Sequence, residues 1–189
     1  DGYWGNKFAG QLGCKTWITG EGRPETGDRK PETGVFLQTE FNFARPYTYS
    51  HWTTKQNYGH LGQPIAHPLG ANFYEWVNFA RYHRNQWTLE GRYSWAKFGA
   101  NDHGLNYGND LFIPNTNYVN ELGNYIGQGR STTLQYTTVT LSYLLNPSSL
   151  LNVFCTLTNR MEKTDTWNKH NCWLTVGIRN SLRNMYFDY

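Results

Sequence analysis

Three histidines stand in one aperiodic stretch, TYSHWTTKQNYGHLGQPIAHPLGANFYEW, from Thr48 to Trp76. His51, His60 and His67 offer imidazole, which suits Zn, Cu or Ni. Their spacings of nine and seven residues match no compact ligand motif, and no Cys or carboxylate stands among them before Glu75. Ser50 adjoins His51, but no GxSxG elbow accompanies it. A catalytic His needs a nucleophile and an orienting carboxylate within reach. The stretch is therefore expected to hold no metal and no catalytic residue. A folded outer loop suits it better: Pro64 and Pro68 stiffen it, and Gly59, Gly62 and Gly70 permit its turns. A binding surface is the competing reading. Tyr47, Tyr49, Trp52 and Tyr58 would offer flat faces to sugar rings, with His60 and His67 as hydrogen-bonding partners.

A second loop, GANDHGLNYGNDLFIPNTNYVNELGNYIGQG, raises a similar choice. Asn101, Asp102, Asn109 and Asp110 could place oxygens on Ca²⁺, yet the pattern lacks the spacing and terminal Glu of an EF-hand loop. A lid folding into a barrel mouth is favoured over a glycan contact through Tyr107. Glu75, Arg81, Glu90 and Arg92 form a third group. They would either select ions or sugars in a lumen or neutralise one another in a lattice of ion pairs. The lattice is favoured.

Strands must position these residues, because period two dominates the text. WTLEGRYSWAKF, Trp87 to Phe98, sets Trp87, Leu89, Gly91, Tyr93 and Trp95 on one face and Thr88, Glu90, Arg92, Ser94 and Ala96 on the other. Trp87 and Trp95 are eight residues apart, roughly 26 Å along a strand. Tilted by about 40°, that approaches the ~25 Å apolar band between the aromatic girdles of an outer-membrane barrel. A tight turn at Arg84-Asn85 would pair this segment with Ala71–His83. Tyr82 would then face Trp87, and Trp76 would face Tyr93. Tyr74, Trp76, Tyr82, Trp87, Tyr93 and Trp95 form the expected girdle, with Asn78 as a polar blemish. Ser131–Leu145, Leu150–Met161 and His170–Leu182 alternate too, and a turn at Glu162–Asp165 would set Cys155 opposite Cys172. Phe8–Ile18 and Val35–Phe43 are weaker candidates, giving about seven strands.

Composition narrows the classes. Among 189 residues, 17% are aromatic and only 16% charged, against roughly 25% charged in ordinary soluble domains. The aromatic content argues against disorder. A net charge of +3 without Lys/Arg clusters gives no nucleic-acid footprint. Mean hydropathy is −0.71, and no apolar run approaches the ~18 residues of a membrane helix, which leaves a membrane β-barrel open. Cys14, Cys155 and Cys172 lack CxxC spacing and are expected to be free thiols.

The connections alternate in length. Residues 44–70 and 99–129 are long, as barrel outer loops are, whereas those after His83 and at Asn146–Ser149 are short. Gly20–Gly34 breaks the alternation as a polar insertion. The expected fold is an all-β antiparallel transmembrane barrel, with long loops extracellular and the C-terminus periplasmic. Seven strands do not close such a barrel, so residues 1–189 are expected to be one domain incomplete at its N-terminal side. No signal peptide stands at the start, and a mature or truncated product is expected.

RPYTYSH (Arg45–His51), YGH and QPIAHPLGANFYE (Tyr58–Glu75), GNYIGQG (Gly123–Gly129) and the terminal RNMYFDY resemble the C-terminal half of Bacteroidota outer-membrane proteins. These are the RemB-type gliding-motility proteins and the related Wzi-like capsule-assembly barrels. The likeness spans most of the chain from Gly2, and Gly20–Gly34 departs from it. An aromatic last residue is common in such barrels. The resemblance implies a non-enzymatic barrel that attaches or assembles surface polysaccharide or supports gliding motility. It implies no cofactor; the partners would be outer-membrane lipid, cell-surface polysaccharide and other outer-membrane, motility or secretion proteins. The alternatives are a porin-like channel or an accessory subunit of a transport or secretion complex, an outer-membrane lipase or protease, and a soluble β-sandwich.

Overall fold

The computed structural model describes residues 1–20 and 33–180. Seven strands run up and down as one antiparallel sheet in chain order. They are β1 (Ala9–Gly20), β2 (Thr33–Ala44), β3 (Phe73–Arg84), β4 (Trp87–Ala100), β5 (Arg130–Asn146), β6 (Leu151–Lys163) and β7 (Asn168–Arg179). The all-β antiparallel expectation holds. The sheet is open: β1 pairs only with β2 and β7 only with β6, so no barrel closes among the described residues. Most of the Gly20–Gly34 insertion, the end of the His170–Leu182 segment and the terminal RNMYFDY lie outside the described residues.

Two registers differ from the sequence expectation, and turn chemistry explains both. The β3–β4 turn is Asn85-Gln86, one residue later than expected, because Asn85 takes the left-handed conformation (φ 57°) that Asn tolerates. Trp76 therefore faces Trp95 and Tyr82 faces Leu89. The β6–β7 loop begins at Thr164, whose Oγ1 accepts from the Thr166 and Trp167 amides. Cys155 then faces Val176, and Cys172 faces Asn159. Both slips are by an even number, so every side chain keeps its expected face.

The pairing sorts side chains sharply. One face carries Leu12, Cys14 and Ile18; Val35, Leu37 and Phe41; Trp76, Ala80 and Tyr82; Leu89, Tyr93 and Trp95; Val139 and Leu141; Cys155 and Leu157; and Cys172, Leu174, Val176 and Ile178. Its charged residues are Arg84, Lys97 and Lys163, all near strand ends. The other face carries Lys15, Glu40, Glu75, Arg81, Glu90, Arg92, Arg130, Arg160, Glu162, Lys169 and Arg179. All six girdle residues lie on the apolar face, and all three cysteines are free and exposed there. The Asn78 blemish is partly satisfied: Trp76 Nε1 donates to Thr39 Oγ1 (2.8 Å), which donates to Asn78 Oδ1 (2.9 Å).

This apolar face is not a core. Leu12 is 78% exposed, Val176 73% and Ile178 72%. The buried apolar cluster sits at one end of the sheet, where Ala44, Ala71 and Phe73 pack against Tyr49, Leu69 and Phe98. Gly99 belongs to that joint. A Cβ there would collide with the Gln128 carbonyl oxygen and crowd Asn72 Nδ2. Gly99→Ala is expected to cost about 3 kcal/mol, the scale of an overpacked buried site. Urea unfolding compared with a Gly91→Ala control, whose added methyl meets open space, checks it.

Candidate functional site

The N-terminal segment 1–8 and both long loops leave the same end of the sheet as β2, β3, β4 and β5. They fold into one cap. Segment 1–8 is tied in by backbone bonds from Trp4 N to Glu121 O, Gly123 N to Asp1 O and Asn124 N to Gly2 O. A two-residue ladder, Gly59–His60 with Gln63–Pro64, stiffens the first loop.

Side-chain amides hold the cap together. Asn72 is fully buried and left-handed (φ 61°). Its Nδ2 donates to Gly99 O (2.8 Å), Gln128 O (2.9 Å) and Tyr107 O (3.3 Å), while its Oδ1 accepts from Gly127 N (2.7 Å). Asn109 Nδ2 donates to Leu69 O and Ala71 O, and Gln128 Nε2 donates to Tyr107 O and Asn124 Oδ1. Tyr47, also fully buried, donates its hydroxyl to Asn106 O (2.7 Å) and accepts from Val119 N (3.3 Å). Burial pushes the Tyr47 hydroxyl pKa above its ordinary value. Burial likewise lowers that of Lys7, whose Nζ donates to Ser50 O (2.6 Å) beneath the Trp4 ring.

The structure divides the candidate sugar-binding residues. Trp52 is 73% exposed, and Tyr58 and His60 are also exposed. Tyr49 is half-buried and stacks on Tyr58, ring centroids 6.0 Å apart. His67 turns inward, stacking on Phe73 at 4.3 Å and meeting Glu75 Oε2 at 2.9 Å. Tyr107 is half-buried, and its carbonyl serves the Asn72 hub. So Tyr49, Trp52, Tyr58 and His60 remain on the surface, while His67 and Tyr107 are built into the cap.

No group of His, Cys, Asp and Glu among the described residues could hold a metal ion. The four residues considered for Ca²⁺ have local uses. Asn101 Oδ1 accepts from Tyr107 N, Asp110 Oδ1 accepts from Phe112 N, and Asp102 lies 3.7 Å from Arg130. Asn109 spends its amide on the first loop.

The four lumen charges share the polar face but form no single lattice. Arg81 Nε meets Glu90 Oε1 at 2.6 Å. Glu75 lies six residues up β3, roughly 20 Å away, where His67 and Asn42 hold it. Among the described residues Arg92 forms no ion pair. Sequence reasoning missed their apolar company. Trp17 and Phe36 face each other across β1 and β2 on this polar side, and Phe79 joins them. The signal was Val35-Phe36-Leu37, a run apolar on both faces that does not alternate. Comparison with family models, curated proteins and solved structures finds no match.

Proposed function

We propose that this chain is part of an outer-membrane β-barrel that attaches or assembles cell-surface polysaccharide, or serves surface motility, without catalysis. One observation carries the membrane reading. A sheet with eleven charges on one face exposes an aromatic-rich opposite face whose three charges, Arg84, Lys97 and Lys163, all stand near strand ends. A soluble domain covers such a face with a second layer; lipid is the other solvent that accepts it. Strand length agrees. The shortest sheet strands have 12 residues, about 40 Å, and a tilt near 45° brings that to roughly 28 Å, a bilayer's hydrocarbon thickness. Phe41, Phe43, Tyr74, Trp76 and Trp95 gather toward the cap end of this face, and Tyr82, Trp87 and Tyr143 toward the other, as paired girdles do.

The cap then faces outside and the other end the periplasm. A rigid cap presenting Trp52, Tyr58 and His60 supports a glycan-handling role, as does the resemblance to the RemB-type and Wzi-like barrels. Trp52→Ala combined with Tyr58→Ala is expected to lower retained surface polysaccharide severalfold at unchanged barrel level. Capsule quantification and gliding assays check it; full retention and normal gliding after deletion of the gene would sink the proposal. A porin-like channel is the second reading, favoured by Arg81, Glu90 and Arg92 along the polar face. Ion-impermeable protein in planar bilayers would remove it.

A further inference from the structure

We infer that the polar face carries a binding site for an acidic sugar unit, of uronate type, built on an aromatic ladder beside two arginines. The inference rests on the barrel proposal only in placing this face toward water. Trp17, Phe36 and Phe79 come from three successive strands. Their rings follow one another at 5.7 Å and 5.7 Å, tilted by 48° and 63°. The ladder lines a groove of about 580 Å³, with Gln38, Arg81 and Arg92 on its walls. An adjoining hollow of about 330 Å³ shares Trp17 and Arg81. Ligand sites commonly span roughly 300–1,000 Å³, with apolar walls and a few placed polar groups.

The polar groups specify the ligand's charge. Arg81 lies over the Phe79 ring at 5.4 Å and is fixed by Glu90. Arg92 stands directly opposite Phe79, is exposed, and forms no ion pair among the described residues. A guanidinium that makes no direct ion pair among the described residues, beside a ring, keeps its planar fork of donors free for an incoming carboxylate. The rings meet the C–H faces of a pyranose, as aromatic side chains meet amphipathic ligands. Gln38 adds a donor and an acceptor for hydroxyls. A neutral ligand would leave Arg92 unused, and a nucleotide-like polyanion would meet Glu90.

The test uses the full chain, folded in detergent, titrated calorimetrically with tetragalacturonate and, separately, with cellotetraose. Saturable binding of the acidic oligomer is expected, at least tenfold tighter than of the neutral one. Arg92→Gln should remove that preference, and Arg92→Lys should keep part of it. Phe79→Leu should weaken both oligomers. Equal binding of the two oligomers, an unchanged preference in Arg92→Gln, or no saturable binding to folded protein would each overturn the inference. A segment of the protein already seated on the ladder would appear as that last outcome. Whether the chain needs detergent to stay in solution is read separately and bears on the membrane proposal alone.

Discussion

Asn72→Ala is expected to loosen the cap from the sheet while the strands stay paired. The substitution leaves the buried carbonyls of Gly99 and Gln128 without their donor and the Gly127 amide without its acceptor, while the Tyr107 carbonyl keeps only its bond from Gln128. Each orphaned buried group costs about 1–3 kcal/mol, though relaxation and water recover part of it. The expected loss is on the order of 4 kcal/mol, among the largest for one side chain. Backbone conformation adds to it, since Ala accepts φ near 61° less readily than Asn. Asn72→Asp separates the two causes. It keeps the acceptor for Gly127 but turns a carboxylate oxygen toward three carbonyls. It should be at least as damaging as Ala, whereas Asn72→Gly should recover only the conformational part. Limited proteolysis within 101–129, read beside far-ultraviolet circular dichroism, distinguishes a loosened cap from an unfolded chain. An Asn72→Ala cap as protease-resistant as the parent would show that the amide hub is dispensable.

The second large effect concerns two neighbours on opposite faces. Val139 is on the apolar face between Gly91 and Leu157, and Thr140 is on the polar face opposite Glu90. Val139→Arg is expected to cost about 2–4 kcal/mol of folding into lipid, the price of a guanidinium near the bilayer midplane. Thr140→Arg gains an acidic neighbour, loses a hydroxyl contact to Thr156 and should fold nearly as the parent does. The contrast separates the bilayer from water as the solvent of the apolar face. Val139 is 43% exposed, and a charge at such a position on a water-facing surface changes stability by only about 0.5 kcal/mol. Folding yield of the whole barrel into lipid vesicles, with each substitution in place and scored by the heat-dependent gel shift of folded barrels, measures both. Equal yields for the two variants would return the soluble reading to the front.

Alternation made the strands legible, and the faces with them, because a period of two survives any even slip. Registers were less legible. Asn85 and Thr164 decide them through a left-handed φ and a hydroxyl-anchored turn, and either turn could begin a residue or two earlier on pattern alone. The cap was legible as two long loops and not as a folded body. Its joints are Asn and Gln side chains reaching carbonyls 27, 35 and 56 residues away in the case of Asn72. No local pattern encodes such reach. The same amides read equally well as sugar ligands, and only their partners show that they are spent internally. His67 was misleading in this way: beside prolines and aromatics it resembled a surface ligand, yet it stacks beneath the cap on Phe73. Trp17, Phe36 and Phe79 were hidden because strands apolar on both sides carry no phase.

The fastening of the cap has one more property. Asn72, Asn109, Asn124 and Gln128 join it to the sheet and to itself through neutral groups. Amides neither gain nor lose protons across the range in which proteins live, and mobile ions do not screen a short bond between buried dipoles. Ion pairs in the same place would weaken in brine, and carboxylates would let go in acid. The amide part of the joint therefore keeps its grip across salt and pH, and only the charged contacts beside it, such as His67 with Glu75, respond to either.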